Sequence, residues 1–191
     1  MVNELIEIRF HGTGGQGAVM GAMILAEAAF SEGKQAQKIP VYGSERRGGA
    51  VTVFLRLDDK PVRRVCEITD PDVVVVLDAA LAQSPIIRNG LKRGGIALLN
   101  TKSSPDEVDL GVKLSKVATV DATGIFTELF GSRGGIPITN TIMLGALSRT
   151  TSCVKLESLF DPIMKQLRRG IGEQNIEACK RGYEAVLVKE A

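Results

Sequence analysis

The sequence predicts an α/β protein with a mostly parallel sheet, helices on both faces, a Rossmann-like order of elements, an inserted β-hairpin and a helical C-terminus. Three observations support this fold class. Strand patterns alternate with segments of helical periodicity. Residues 73–76 are four consecutive valines, which is typical of a parallel strand covered on both sides. A glycine loop separates the first strand from the first helix, and the whole pattern predicts one domain over residues 1–191.

The individual elements follow from periodicity and from turn residues. Alternating and β-branched runs predict strands at residues 4–10, 34–40, 50–57, 62–67, 72–78, 96–100 and 117–121. A turn at Asp58 and Asp59 predicts that the third and fourth strands form the inserted hairpin. Helical spacing predicts helices at residues 18–31, 79–91, 122–130, 141–150, 156–167 and 173–188. Asn140 is expected to cap the first of the three C-terminal helices.

Composition excludes several classes of protein. With 44% hydrophobic and 24% charged residues, the chain is neither disordered nor a membrane protein, and a net charge of +2 argues against nucleic-acid binding. The N-terminal residues lack the pattern of a secretion signal, so we expect a cytoplasmic protein. Cys66, Cys153 and Cys179 lack the spacing of a zinc site or an iron–sulfur cluster, and each is expected to be a small apolar filler.

The glycine loop has the pattern G-x-G-x-x-G in the context that the motif requires. It comprises Gly12, Thr13, Gly14, Gly15, Gln16 and Gly17. Glycines permit a tight turn and a close approach to phosphate, and the following helix offers unpaired N–H groups to an anion. A tight turn without a ligand remains an alternative. The second strand carries no acidic residue at its end to hold a ribose, so nicotinamide is not the expected ligand.

A second loop places two adjacent arginines among glycines. It includes Ser44, Glu45, Arg46 and Arg47. The guanidinium fork suits phosphate or carboxylate, so this loop is a candidate anion site, and a solvated basic loop is the alternative.

Single polar residues near the predicted ligand edge have ordinary structural explanations as well. His11 is the only histidine, and we expect its ring to be hydrogen-bonded to nearby backbone. Asp78 and Asp121 each cap a helix or contact a ligand, and Asn140 caps a helix or contacts a ligand or partner. The chain offers neither a Ser–His–Asp set nor a paired-carboxylate signature.

The order of these motifs resembles the gamma subunit of pyruvate- and 2-oxoisovalerate-type ferredoxin oxidoreductases. Residues 10–19, which contain the glycine loop, are similar to the opening of that family. Residues 42–51, Tyr-Gly-Ser-Glu-Arg-Arg-Gly-Gly-Ala-Val, match its second loop. Residues 140–147, 173–178 and 181–183 are similar to its later segments, so the resemblance covers nearly the whole chain. Thr13 stands where the family commonly has arginine, and Gly49 where it commonly has alanine.

The resemblance implies a subunit and not a self-sufficient enzyme. The full enzyme oxidatively decarboxylates a 2-oxoacid with coenzyme A and passes electrons to ferredoxin. Thiamine diphosphate and [4Fe–4S] clusters are implied to lie on partner alpha, beta and delta subunits, while the gamma chain serves assembly and the coenzyme A side. Coenzyme A is then the expected ligand of the two loops, with Asn140 as a further candidate contact.

Two other functions are compatible with the residues. A stand-alone Rossmann-like nucleotide-binding protein, such as a nicotinamide dehydrogenase, would use the glycine loop alone. A non-catalytic assembly module would bury residues 42–51 in an interface and bind no coenzyme.

Overall fold

The computed structural model describes residues 5–43, 49–81, 84–131, 136–167 and 170–191. Within these residues one 7-stranded sheet has the order β2-β3-β1-β4-β5-β6-β7. The strands are β1 (Ile6–Thr13), β2 (Gln35–Tyr42), β3 (Ala50–Asp58), β4 (Val73–Val76), β5 (Ile96–Asn100), β6 (Lys116–Val120) and β7 (Leu187–Glu190). The helices are α1 (Ala18–Ser31), α2 (Pro85–Arg88), α3 (Ala122–Phe130), α4 (Asn140–Thr151), α5 (Phe160–Gln166) and α6 (Gly172–Ala185).

The sheet is mostly parallel, as predicted. Strands β1, β4, β5 and β6 pair in parallel, and β2 runs in the same direction because both β2 and β1 are antiparallel to β3. Strand β7 pairs antiparallel with β6. In the sheet, β3 and β2 lie to one side of β1, and β4 lies to the other side. The order of the strands therefore reverses between β1 and β4, and the carboxyl ends of these two strands meet at that point.

The inserted hairpin exists, but different strands form it. We expected residues 62–67 to pair with β3; instead β2 pairs with one edge of β3 and β1 with the other. Because both edges of β3 are occupied, residues 62–67 have no strand partner. The carbonyl oxygens of Cys66 and Glu67 instead accept hydrogen bonds from the Arg56 guanidinium at 2.8 and 3.3 Å.

Residues 79–91 do not form the single helix that was predicted. The described part contains a 3-10 turn at Ala79–Leu81 and the four-residue helix α2. Ser84 is extended, with φ −68° and ψ 138°, and its hydroxyl accepts the N–H of Ile86. Because Pro85 disfavours the α conformation in the preceding residue, a helix cannot run through this position.

The C-terminal third also departs from the predicted bounds. The predicted helix at 156–167 is a 3-10 turn at Glu157–Leu159 followed by α5. The predicted helix at 173–188 ends at Ala185, and β7 follows it at the edge of the sheet. The strand predicted at 117–121, which corresponds to β6, is therefore not the last strand of the chain. After α6 the chain returns to the edge of β6 and pairs with it as β7.

Helices cover the two faces of the sheet unequally. The larger core lies between the first face and helices α1, α3, α4, α5 and α6. The second face carries a smaller core that includes Val74, Val76 and Leu99, closed by Ile87 of α2 and by Leu110 from a loop.

The second face also carries a row of polar side chains from β1. Residues Glu7, Arg9 and His11 alternate with the apolar Ile8 and Phe10 of the first core. Arg9 is buried, and its guanidinium donates to the carbonyl oxygens of Ile86, Ile87 and Asn89 at 3.2, 3.3 and 2.6 Å. These hydrogen bonds attach α2 to the second face of the sheet.

Candidate functional site

The glycine loop begins later than the motif suggested. Strand β1 continues to Thr13, so Gly12 is a strand residue paired with Val51 of β3. The turn proper runs from Gly14 to Gly17. Gly15 has φ +107° and Gly17 has φ +83°, which is the left-handed region that only glycine adopts without strain.

Side chains of the protein hold the first half of this loop in place. The backbone N–H of Thr13 donates to Gln16 Oε1 at 2.7 Å, and the N–H of Gln16 donates to the Thr13 carbonyl at 3.1 Å. Gln16 is buried despite its polar side chain. The hydroxyl of Thr13 donates to Asp78 Oδ2 beyond the end of β4. Contacts within the protein therefore hold the first half of this loop in shape.

The β2–β3 hairpin packs directly against this loop. The N–H of Gly14 donates to the Gly49 carbonyl at 2.9 Å, and the N–H of Gly43 donates to the Ala50 carbonyl at 3.0 Å. The predicted site residues Ser44, Glu45, Arg46 and Arg47 lie outside the described residues.

Asn140 contacts the glycine loop from helix α4. Its Nδ2 donates to the Gly17 carbonyl at 3.3 Å, and its Oδ1 accepts the N–H of Thr141 at 2.9 Å. Asn140 is the first residue of α4 and not its cap; Thr139 holds the N-cap position without a capping hydrogen bond. The prediction of a simple cap was wrong because the Asn140 side chain joins two segments that are distant in sequence.

A cavity of about 680 Å³ lies between the glycine loop, α1 and the hairpin. Its walls are backbone at the loop and mostly apolar side chains elsewhere. The lining residues include Gly14, Gly15, Gly17, Val19, Met20, Met23, Tyr42, Gly43, Gly49, Val51 and Ile136. No described residue accepts a hydrogen bond from the N–H of Gly15 or Gly17, and the N–H groups of the first turn of α1 have no intrahelical acceptor.

The arrangement can bind an elongated ligand with an anionic end and an apolar body. Free N–H groups at a helix N-terminus favour negative charge, and the two methionines of α1 present an adaptable apolar wall.

The pyruvate ferredoxin/flavodoxin oxidoreductase family model matches residues 7–185. The chain belongs to this family.

Relatives of the gamma type share nearly the full length. The chain is 50% identical over 188 residues to the pyruvate/ketoisovalerate oxidoreductases common subunit gamma of Thermococcus kodakarensis, which covers 97% of this chain and 100% of the relative. It is 44% identical over 185 residues to pyruvate synthase subunit PorC of Methanocaldococcus jannaschii, covering 97% and 99%. The crystal structure of pyruvate oxidoreductase subunit PORC from Thermotoga maritima matches with a TM-score of 0.84 at 39% identity, covering 98% of this chain and 99% of that one.

These comparisons confirm the resemblance found in the sequence. The chain is a gamma-type subunit of a multi-subunit 2-oxoacid oxidoreductase, as the motif order predicted. In the parts of the chain that the structure describes, no helix is long and apolar enough to cross a membrane.

His11 lies beside the glycine loop of this gamma subunit but faces away from the cavity, into the second core. Its Nε2 accepts a hydrogen bond from Arg9 Nε at 2.8 Å, so its partner is a side chain and not the backbone that we expected. Burial, together with the positive charge of Arg9, lowers the pKa of His11 to about 3. The ring is neutral at physiological pH.

The two aspartates at the carboxyl edge both cap the turns that follow them. Asp78 Oδ1 accepts the N–H of Ala80 at 3.0 Å, and Asp121 Oδ1 accepts the N–H of Gly124 at 2.8 Å. Asp78 differs because its second oxygen accepts the Thr13 hydroxyl of the glycine loop.

Two of the three cysteines are buried as predicted. Burial raises the pKa of the Cys153 thiol, and raises that of Cys179 to about 12. Cys66 is exposed, so the prediction of an apolar filler was wrong there. It lies in the segment that failed to form a strand, with Sγ 3.8 Å from a guanidinium nitrogen of Arg56.

Sequence reasoning missed the apolar side of the cavity. Tyr42 and Ile136 line it with 65% and 48% of their surface exposed, although large apolar side chains usually avoid water. Tyr42 stands inside the family's second motif and could have been identified there. Ile136 has no sequence signal, because only the fold brings it beside Gly15, where a Cβ on that glycine would lie 3.3 Å from Ile136 Cδ1.

Proposed function

We propose that this gamma subunit binds part of coenzyme A in the cavity between α1 and the β2–β3 hairpin. In the same proposal, alpha, beta and delta-type subunits hold the thiamine diphosphate and [4Fe–4S] clusters, and ferredoxin takes the electrons from them. The observation that carries it is a pair of backbone N–H groups, on Gly15 and Gly17, that donate to no described residue and lie at the wall of a cavity of about 680 Å³.

The size and lining of the cavity suit this ligand. Small-molecule sites are commonly about 300–1,000 Å³, mostly apolar, with a few convergent polar groups. Coenzyme A combines phosphates with a long pantetheine arm. The N–H groups of the loop would meet a phosphate, and Met20, Met23 and Val51 would line the path of the arm.

The two arginines enter the proposal through their place in the chain. Arg46 and Arg47 belong to the five residues between Gly43 and Gly49, and both of these glycines line the cavity. Guanidinium groups in this segment would be suited to bind the phosphates of coenzyme A.

One contact favours a second candidate function, a non-catalytic assembly module. The N–H of Gly14, which a phosphate-binding loop of this type offers to its ligand, already donates to the Gly49 carbonyl. In that case the glycine loop is a structural turn and coenzyme A binds elsewhere in the complex.

Steady-state kinetics of the assembled oxidoreductase distinguish these functions. Replacing Arg46 and Arg47 together by Ala should raise the KM for coenzyme A about tenfold or more, since charged hydrogen bonds contribute about 1.5–3 kcal/mol each. The KM for the 2-oxoacid should stay unchanged.

A matched control removes the same charge at the opposite end of β3. Arg63 and Arg64 are adjacent and exposed, and the segment that carries them follows the end of β3 that lies farthest from the hairpin loop. Their double replacement by Ala should leave the KM for coenzyme A unchanged. An unchanged KM in the Arg46 and Arg47 variant, with normal assembly, would reject the coenzyme role and favour the assembly module.

A further inference from the structure

We infer that Asp78 is a positioning residue for the proposed coenzyme A site, acting through Thr13 on the N–H groups of the glycine loop. The inference rests on the proposed function and adds a residue outside the G-x-G-x-x-G motif. Asp78 lies beyond the end of β4, where the order of the strands reverses.

Thr13 is the residue through which the loop is held. Its N–H donates to Gln16 Oε1, its carbonyl accepts the N–H of Gln16, and its hydroxyl donates to Asp78 Oδ2. Each polar group of Thr13 therefore has a partner in the protein. Thr13 lines the cavity, but it supports the loop and leaves ligand contacts to its neighbours.

Asp78 is itself firmly held. Its Oδ1 accepts the N–H of Ala80 at 3.0 Å, and the backbone N–H of the preceding Leu77 donates to the His11 carbonyl at 2.8 Å. The end of β4 is therefore joined to the end of β1 by two contacts, one through the Asp78 carboxylate and one through the backbone. A charged acceptor makes this hydrogen bond stronger than one between neutral groups.

The charge of Asp78 also determines the side from which an anion can approach. A carboxylate beyond β4 disfavours a phosphate in the crevice between β1 and β4, where the fold would otherwise place it. The cavity lies on the other side of β1, against the hairpin. Asp78 thus both anchors the loop and directs an anionic ligand toward the α1–hairpin cavity.

Variants at the two residues test the connection in the assembled oxidoreductase. Thr13→Val removes the hydroxyl at nearly constant shape, Thr13→Ser retains it, and Asp78→Ala removes the acceptor. We expect Thr13→Val and Asp78→Ala each to raise the KM for coenzyme A about tenfold, with little change in kcat or in the KM for the 2-oxoacid. Thr13→Ser should restore the KM to within about twofold.

The double variant shows whether the two residues act through one contact. If they do, Asp78→Ala combined with Thr13→Val should raise the KM no further than either single change. Multiplying effects would mean independent roles and would overturn the inference. Thr127→Val is the matched control, because its hydroxyl donates to the Thr123 carbonyl at 2.9 Å within α3, away from the loop.

Hydrogen exchange of the glycine-loop amides provides a readout that does not depend on coenzyme A. In the complex without ligand, Thr13→Val and Asp78→Ala should accelerate exchange at residues 14–18, and Thr127→Val should not. Faster exchange with an unchanged KM for coenzyme A, where the Arg46 and Arg47 variant does raise it, would show a merely structural contact and overturn the positioning role. If the arginine variant also leaves the KM unchanged, the proposed coenzyme site fails first.

Discussion

Asn140 at the start of α4 hydrogen-bonds to Gly17 at the start of α1, with Nδ2 3.3 Å from the glycine carbonyl oxygen. The two residues are 123 positions apart in the chain. The contact leaves no room for a side chain at residue 17, where a Cβ would lie 2.7 Å from Asn140 Nδ2. The third glycine of the motif is thus required by packing between two helices as well as by its left-handed backbone.

Gly17→Ala should destabilise the protein more than an ordinary glycine replacement. The left-handed backbone alone costs about 1–3 kcal/mol for a residue with a side chain, and the clash with Asn140 adds to this. Urea denaturation measures the free energy of unfolding. The control is Gly111→Ala, since Gly111 has φ +69° but nothing within 4 Å of its Cβ position.

Adding Asn140→Ala to Gly17→Ala should recover part of the loss, because the clash disappears while the backbone strain remains. Equal losses for Gly17→Ala and Gly111→Ala would show that Asn140 moves aside without cost.

The crossing of α4 and α6 also depends on glycine. A Cβ at Gly182 would lie 2.0 Å from the Ile142 carbonyl, and one at Gly145 would lie 1.8 Å from the Cys179 carbonyl. Gly→Ala inside an exposed helix usually stabilises by about 1 kcal/mol. Here we expect Gly182→Ala to lower the free energy of unfolding by about 3 kcal/mol or more, because the new methyl group would meet the backbone of α4, which cannot move aside as a side chain can.

Thermal denaturation followed by circular dichroism tests this sign reversal. Glu184→Ala, at an exposed position of the same helix, should change the melting temperature little. A Gly182→Ala variant as stable as the parent would mean that the two helices do not cross as closely as described.

Local sequence signals predicted the elements whose boundaries depend on local chemistry. The helix at 18–31, the strand at 96–100 and the helix at 122–130 are confirmed with the same bounds. Asp121 caps the last of these, as its position before the helix indicated. The predicted helix at 79–91 failed for a local reason, because Pro85 interrupts it, but other failures occurred where a distant segment decided the outcome. Residues 62–67 have strand-like composition, but β1 and β2 already occupy both edges of β3.

In the candidate site, too, the features that are contiguous in sequence could be predicted, and the long-range contacts could not. The glycine loop was identifiable because its motif, its strand and its helix are contiguous in sequence. The contacts of Gly14 with Gly49, Thr13 with Asp78, and Gly17 with Asn140 join segments that only the tertiary fold brings together. No periodicity or motif reports such contacts.

Arg56 should be among the costliest residues to remove from the second face of the sheet. Only 2% of its side chain is exposed, and Nε lies 2.9 Å from Glu7 Oε1. Arg56→Met removes the donor to the half-buried Glu7 carboxylate, to the Gln37 amide oxygen and to three backbone carbonyl oxygens. Breaking a buried ion pair on one side typically costs about 3–5 kcal/mol, which urea denaturation would detect.

Adding Glu7→Gln to Arg56→Met should return part of that stability, because it removes a half-buried charge whose remaining cationic neighbour, Lys92, is 4.0 Å away. Arg181→Met breaks an exposed ion pair with Glu128 and should cost at most about 1 kcal/mol. A similar cost for Arg56→Met and Arg181→Met would contradict the buried network.

His11 makes the stability of the protein depend on pH in a defined window. Burial and the charge of Arg9 lower its folded-state pKa to about 3, whereas an unfolded histidine titrates near 6.5. Between these values the unfolded state binds one more proton than the folded state. The His11 contribution is therefore complete above about pH 6.5 and is lost progressively as the pH falls toward 3.

The free energy of unfolding falls by about 1.4 kcal/mol per pH unit for this one proton, and the titration of carboxylates adds to that slope. Because His11 is the only histidine, a single substitution isolates it. His11→Gln retains an acceptor for Arg9. Between about pH 4 and 6 it should make the free energy of unfolding less steep against pH, by the slope that corresponds to one proton. Parallel curves for the parent and the variant would show that His11 titrates normally in the folded protein.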